Sequence, residues 1–352
     1  MRVFFNDFKL LSAFLARNLV FPPPIQNHVE DQAMTDTSTQ VQEQRRPGVL
    51  GVHSVDHFAI TVPDLTKASE FYSTFGLETR AEGNDLGLYA VGNPHRWGHL
   101  QQGARKKFGH LSFGIFADDV AAFNTLLNQH NISRLAPPPG HDDQGIWFTD
   151  PDGNLIELAV KAKSSPANKS AFTAVSAPSG VAGVPGRSKV QAVHPRRLSH
   201  VAVFTTDVDR AVKFYTATLG MRLSDRSREF VAFMHGPHGS EHHMIAVLKS
   251  NGPGIHHCSW DIGSVNEIGL GAMQMAVKGY AAGWGLGRHV LGSNYFHYVR
   301  DPWGSYCEYS ADMDYIPPSR DWPAGDHDPE DSMFLWGPTP PADFVTNFEA
   351  AE

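Results

Sequence analysis

Two histidines and a glutamate recur twice along this 352-residue chain at nearly equal separations. His57, His110 and Glu157 are 53 and 47 residues apart, and His200, His257 and Glu308 are 57 and 51 apart. Two imidazoles and one carboxylate form the facial triad of non-haem Fe(II) oxygenases, a donor set that leaves the remaining positions of an octahedral ion open to substrate and oxygen. A lone strand histidine is more often an ordinary hydrogen-bonding group than a ligand. Three ligand-capable residues on matching points of two copies are hard to attribute to chance, and they predict a metal in at least one copy.

An internal repeat must position these residues. VDHFAITVPDLTKASEFYSTFGLETR, from Val55, lies over LSHVAVFTTDVDRAVKFYTATLGMRLS, from Leu198, with His57 on His200 and Phe71-Tyr72 on Phe214-Tyr215. Each copy reads as a strand, a turn whose Asp (Asp64; Asp207 and Asp209) can cap a helix, an amphipathic helix ending at Gly76 or Gly220, and a further strand. Further on, GHLSFGIF from Gly109 matches HHCSWDI from His256, and FTDPDGNLIEL from Phe148 matches VRDPWGSYCEY from Val299. In GIHHCSWDI, strand alternation allows only one of two adjacent histidines to look inward. The first copy keeps a single histidine there, which selects His257 and turns His256 away.

The repeat divides the chain into domains at 51–161 and 196–312, joined by an Ala/Ser/Pro/Gly-rich linker over 162–195 that cannot bury enough apolar surface to fold alone. Residues 313–352 form a Pro-punctuated tail, without strand or helix periodicity, that covers the body; its Trp322, Phe334, Leu335 and Trp336 suit a strap across the surface or a pocket mouth. Residues 1–50 read as a poorly ordered extension, or as an over-long start with Met34 as the initiator. Composition, 41% hydrophobic and 19% charged, is that of a soluble globular protein. A net charge of −8 and basic clusters no longer than Arg105-Lys106-Lys107 argue against nucleic acid, and no run approaches the ~18 apolar residues of a membrane span. The two cysteines, Cys258 and Cys307, form no spaced framework and fit a reducing compartment, the cytoplasm.

HVAVFTTDVDRAVKFYTATLG, IHHCSWDI, GRHVLGSNYFHY and YVRDPWGSYCEY together resemble the C-terminal half of type I extradiol catechol dioxygenases, of the 2,3-dihydroxybiphenyl dioxygenase and catechol 2,3-dioxygenase kind, in the vicinal oxygen chelate superfamily. The resemblance extends over both repeats. The stretch Tyr298-x-x-Asp301-Pro302-x-Gly304-x-x-x-Glu308 agrees with the family's ring-cleavage signature, while His297 stands where an aliphatic or aromatic residue is usual. It implies an α+β fold of four βαβββ modules, two per domain, each pair curving around a cavity. It also implies Fe(II), with Mn(II) as the alternative, on His200, His257 and Glu308; a catechol and O2 as substrates; and a homo-oligomer. His243 matches the family's acid–base histidine, and His289 and Tyr298 match residues that contact the catechol oxygens. Many relatives carry an Asn-Asp pair after the GRH histidine; this chain has Leu291-Gly292, then Ser293-Asn294, so the pocket wall is altered.

In the first domain Trp147 replaces the tyrosine, and only His95, His99 and His141 lie near the places of His243 and His289. His57, His110 and Glu157 are therefore expected to be a structural remnant that lacks proton-handling groups. Two rival readings use the same scaffold. A glyoxalase-like Zn or Ni isomerase or hydrolase would normally share ligands between repeats, and a binding protein of the bleomycin-resistance type would need no metal.

Overall fold

The computed structural model describes residues 45–141, 144–174 and 176–350; most of the predicted N-terminal extension, Met34 included, lies outside them. The first half runs β1 (Ser54–Val62), α1 (Leu65–Phe75), β2 (Glu78–Glu82), β3 (Asp85–Tyr89), β4 (Arg96–Gln102), β5 (Lys107–Ile115), α2 (Val120–Gln129), β6 (Ile146–Thr149) and β7 (Leu155–Val160). The second half repeats the plan. It comprises β8 (Arg197–Thr205), α3 (Val208–Leu219), β9 (Arg222–Ser227), β10 (Val231–His235), β11 (Ser240–Glu241), β12 (Ile245–Lys249), β13 (Gly254–Asp261), α4 (Val265–Val277), β14 (Gly283–Arg288), β15 (Tyr295–Arg300) and β16 (Tyr306–Ala311).

The expected capping chemistry is in place. Asp64 and Asp207 accept from the backbone N–H groups of Lys67 and Arg210, and Gly76 and Gly220 end the helices at φ +102° and +65°, where a Cβ would be strained. Asp209 is not the cap; it pairs with Arg226.

Each half is one sheet made of two modules joined edge to edge. The orders are β2-β3-β4-β1-β5-β7-β6 and β14-β15-β16-β13-β8-β12-β10-β9, the latter extended by a tail strand, with the joins at the antiparallel pairs β1–β5 and β13–β8. The βαβββ plan holds with one abbreviation: in the module β5-α2-β6-β7 the missing strand is reduced to a single bridge between Leu135 and Trp147. The tail departs from its expected irregularity. It contributes β17 (Tyr315–Ile316), paired with β11, β18 (Gly325–His327), a ninth strand parallel to β9, and a single helical turn over Pro329–Ser332.

The halves meet through their helices and turns. Phe75, at the end of α1, stacks on Tyr309 of β16 with centroids 3.8 Å apart, and the Tyr309 hydroxyl donates to the Phe75 carbonyl at 2.8 Å. Such a pair stabilises by about 0.5–1.5 kcal/mol beyond its burial. Asp152, in the first DPxG turn, accepts from the Thr206 N–H and the Arg210 guanidinium of the other half. Buried, neutral histidines lie along the same seam. His238 bonds the Gly51 carbonyl through Nε2 and accepts from the Arg46 N–H through Nδ1, and His53 packs on Phe116. Burial, followed by nearby cationic side chains, pushes both imidazoles down to about 4.

A histidine held below its unfolded value of 6.5 contributes stability that is complete above that pH and is lost as pH falls towards 4, because the unfolded chain takes up the proton first. The melting temperature should therefore be flat above about pH 7 and fall steeply between pH 6.5 and 4; calorimetry showing no fall in that window would contradict the burial of neutral imidazoles.

Candidate functional site

Strand register alone puts the second triad on one face. Ser259 of β13 lies opposite His200 of β8 on one side and Glu308 of β16 on the other, while His257 is two residues from Ser259 and shares its face. The side chains converge. Nε2 of His200 and Nε2 of His257 are 3.1 Å apart, and Glu308 Oε2 is 3.3 Å and 3.6 Å from them. All three residues are buried, Glu308 completely.

A β-bulge precedes each ligand histidine. Pairing slips between Ile255 and His257, which makes His256 the extra residue on β13, and between Ser259 and Trp260, which makes Ser199 the extra residue on β8. Strict alternation therefore fails where the sequence reading relied on it. His256 is not one of the three converging side chains, yet it does not turn away from the site: its Nδ1 lies 2.6 Å from Nδ1 of His257, and its Nε2 bonds the Phe344 carbonyl at 2.7 Å. That carbonyl only accepts, so His256 carries its proton on Nε2 and receives one from Nδ1 of His257. The second chain has the same sense. His200 Nδ1 is 3.3 Å from the Ser199 hydroxyl, which donates to Glu241 Oε2 at 2.7 Å, and Glu241 is paired with Arg197. Both triad histidines thus keep their protons on Nδ1 and turn bare Nε2 lone pairs towards each other and towards a carboxylate oxygen that has no hydrogen-bond partner among the described residues. Buried electron pairs meeting in this way fit a cation.

The predicted acid–base and substrate-contacting residues gather around the same point. The His243 ring lies 4.1 Å from that of His200, and its Nδ1 is 3.1 Å from Nδ1 of His242, whose Nε2 bonds Asp225 at 2.8 Å. His242 therefore accepts, His243 donates from Nδ1, and His243 Nε2 keeps its lone pair. Burial, reinforced by the neighbouring imidazoles, holds His243 well below the usual range. His289 binds the Met333 carbonyl through Nδ1 at 2.7 Å, so its Nε2 accepts from the Tyr298 hydroxyl at 3.0 Å. Tyr298 lies opposite Glu308 in the β15–β16 register. Burial and the Glu308 charge push its hydroxyl well above 10. Trp284, Phe296 and Phe344 surround it, with Trp284 nearly parallel at 5.5 Å.

The loop over 291–294, read from the sequence only as an altered pocket wall, reaches the triad itself. Asn294 donates to Ser310 at 2.9 Å and reaches Glu308 at 3.4 Å. Gly292 brings the loop so close that a Cβ there would stand 3.4 Å from His243. Met333 and Phe344 act through backbone carbonyls, which no residue type advertises. A legible signal did exist: a polar residue directly precedes three of the four triad histidines, as Asp56, Ser199 and His256.

The first triad is built alike. Ser112 lies opposite both His57 and Glu157, and Nε2 of His57 is 3.1 Å from Nε2 of His110. Asp56 is the bulged residue before His57 and holds its Nδ1 at 2.8 Å. Trp147 takes the place of Tyr298, opposite Glu157. His95 binds the Asp56 carbonyl.

Comparison with known proteins agrees with this geometry. The model of the Glyoxalase/Bleomycin resistance protein/Dioxygenase superfamily matches residues 54–158 and 197–309. The chain belongs to this superfamily. Metapyrocatechase 2 of Cupriavidus necator is 48% identical over 91% of this chain and 100% of its own length. The manganese-dependent 2,3-dihydroxybiphenyl 1,2-dioxygenase of Geobacillus genomosp. 3 is 25% identical over 80% of this chain and 93% of its own. In fold, the superfamily member superposes on an extradiol ring-cleaving dioxygenase from B. fuscum with a TM-score of 0.68 at 20% identity, covering 86% of this chain and 84% of that one.

Replacing His257 with alanine should abolish metal binding at the second triad. His256→Ala should keep the ion but weaken it by about 10- to 100-fold, the usual cost of losing a partner behind a ligand. Competition against a coloured chelator checks both, and a His256 variant that binds as tightly as the parent would contradict the assigned chain.

Proposed function

We propose that this chain is an extradiol dioxygenase that opens a catechol-type ring beside its two hydroxyls, inserting both atoms of O2, at His200, His257 and Glu308. The observation that carries this reading is the convergence, on one buried point, of two locked imidazole lone pairs and the unpartnered Glu308 oxygen, with His243, Tyr298 and His289 around them. Its 48% identity to Metapyrocatechase 2 over that protein's whole length supports the same activity. A glyoxalase-like reading fits less well, because all three ligands come from one half of the chain, on β8, β13 and β16.

The donor set suits divalent iron or manganese; bound there, the ion would hold catechol and dioxygen together and let electrons pass from ring to oxygen. We assign iron, with manganese as the alternative. The chain's own groups handle the protons. His243, neutral and with Nε2 free, can accept a proton from a catechol hydroxyl and later return it. The proton already on its Nδ1 is held by His242, and the Asp225 carboxylate behind His242 offsets the positive charge that the second proton brings. Tyr298 stays protonated and can turn its O–H from His289 to a substrate oxygen that carries negative charge. His289, fixed by the Met333 carbonyl, sets the direction of that hydroxyl. Trp284, Phe296 and Phe344 exclude water from this side. Oxygen ends wholly in the product, a muconic semialdehyde, so no external reductant is consumed.

We place the activity in the breakdown of aromatic compounds. The buried free thiols of Cys258 and Cys307, with Sγ atoms 3.8 Å apart, support a reducing cytoplasm, and a homo-oligomer is the assembly suggested by the resemblance.

Protein loaded anaerobically with Fe(II) should consume one O2 per molecule of catechol cleaved, read with an oxygen electrode and the absorbance of the ring-opened product. His243→Ala should lower kcat by about 10²- to 10⁴-fold while iron content is unchanged. Absence of oxygen uptake with every catechol in a panel, despite bound iron, would refute the proposal.

A further inference from the structure

We propose that His57, His110 and Glu157 form a second metal site, which takes a divalent first-row transition ion, rather than a structural remnant. Three independent observations carry it. The first is geometry: one ligand atom from each residue lies within 4.8 Å of the others, all three residues are buried, and Ser112 stands between His57 and Glu157 as Ser259 stands between His200 and Glu308.

The second is the support behind the ligands. A strand carrying a decayed site has no reason to keep a bulge, yet β1 keeps one at Asp56, and the bulge delivers a buried carboxylate to Nδ1 of His57. A carboxylate there takes the imidazole N–H and directs the bare Nε2 at the ion, the arrangement that metal-binding histidines favour. In the other half the matching residue, Ser199, needs a relay through Glu241 to do this; Asp56 does it directly.

The third is a set of buried polar atoms around the triad that have no hydrogen-bond partner among the described residues. They are Nδ1 of His99, both ring nitrogens of His141, Nε1 of Trp147 and Oγ of Ser112. Buried polar groups are nearly always satisfied by protein or by ordered water, and a hydrated ion in the triad would satisfy this set. His99 faces the same side of the sheet as His57, since it lies opposite Ala59 on β4. Its Nε2 is held by Asp85 at 2.8 Å, which leaves Nδ1 as an acceptor for water on the ion. The His141 ring stands 4.8 Å from His110 and 5.3 Å from His99. The proton-accepting group that this half was expected to lack is thus present on β4, at the position of Ala246 rather than of His243. Asp85 also lines an open cleft of about 470 Å³ with Thr61, Asn84, Gln101 and Gln102.

The inference does not depend on the catechol reading, and metal stoichiometry tests it apart from activity. Metal-stripped full-length protein, reloaded anaerobically with Mn(II), desalted and analysed by plasma mass spectrometry, should hold about two ions per chain, following the two triads. His57→Ala and Glu157→Gln should each leave one, His200→Ala should leave one, and the double variant His57→Ala/His200→Ala none. One ion in the parent, lost with His200→Ala and untouched by His57→Ala, would overturn the proposal. Should His57→Ala fail to fold, Asp56→Asn retains every ligand: one of two binding constants should weaken by about 10- to 100-fold while the other holds, and two unchanged constants would overturn it. Two ions without ring cleavage would sink only the dioxygenase reading, and ring cleavage with one ion would sink only this inference.

Discussion

Two imidazole lone pairs and a carboxylate oxygen, held 3.1–3.6 Å apart in a buried place, repel one another unless a cation lies between them. Much of the second half can be read as the apparatus that maintains this arrangement. The bulges at Ser199 and His256 turn an extra side chain towards each ligand's outer nitrogen, and the chains beyond them end in groups that can only accept: the Glu241 carboxylate and the Phe344 carbonyl. With acceptors at the far end, a proton has one place to sit. Tautomer, more than position, is what the outer residues decide.

The same logic explains why the tail belongs to the site although it supplies no ligand. Met333 fixes His289, Phe344 fixes His256, and Trp322, Gly325 and His327 all hydrogen-bond Asp225, which in turn holds His242 behind His243. Three separate hydrogen-bond chains thus run from the centre to residues 322–344. Burial makes each chain consequential, since a misdirected proton inside a dry pocket cannot be compensated by solvent.

Duplication produced two scaffolds with the same ligand register and different surroundings. Where β15 carries Tyr298, β6 carries Trp147; where the loop before β12 carries His243, the first half brings His99 in on β4. The halves are locked together through Phe75 on Tyr309 and Asp152 on Arg210.

The repeat, the helix caps and all six triad residues were legible in the sequence. Strand periodicity and capping are local, and a duplicated spacing carries long-range information that a single copy lacks. The capping by Asp64 and Asp207 and the turn glycines followed from intrinsic backbone preferences. What the tertiary structure alone decided were the departures from regularity. A bulge has no residue signature, so the rule that only one of His256 and His257 could face the site brought His257 to the triad and gave the wrong place for its neighbour. Backbone carbonyls such as those of Met333 and Phe344 are identical in every residue, and only the fold of the tail determines which imidazole they meet. His99 was noticed in the sequence but not joined to the first triad, because its partner Asp85 and its triad neighbours come from separate strands, whose pairing is set by packing. The sequence by itself determined which atoms could bind a metal; the packed sheet decided where their protons lie, because a tautomer depends on partners that are distant in the chain.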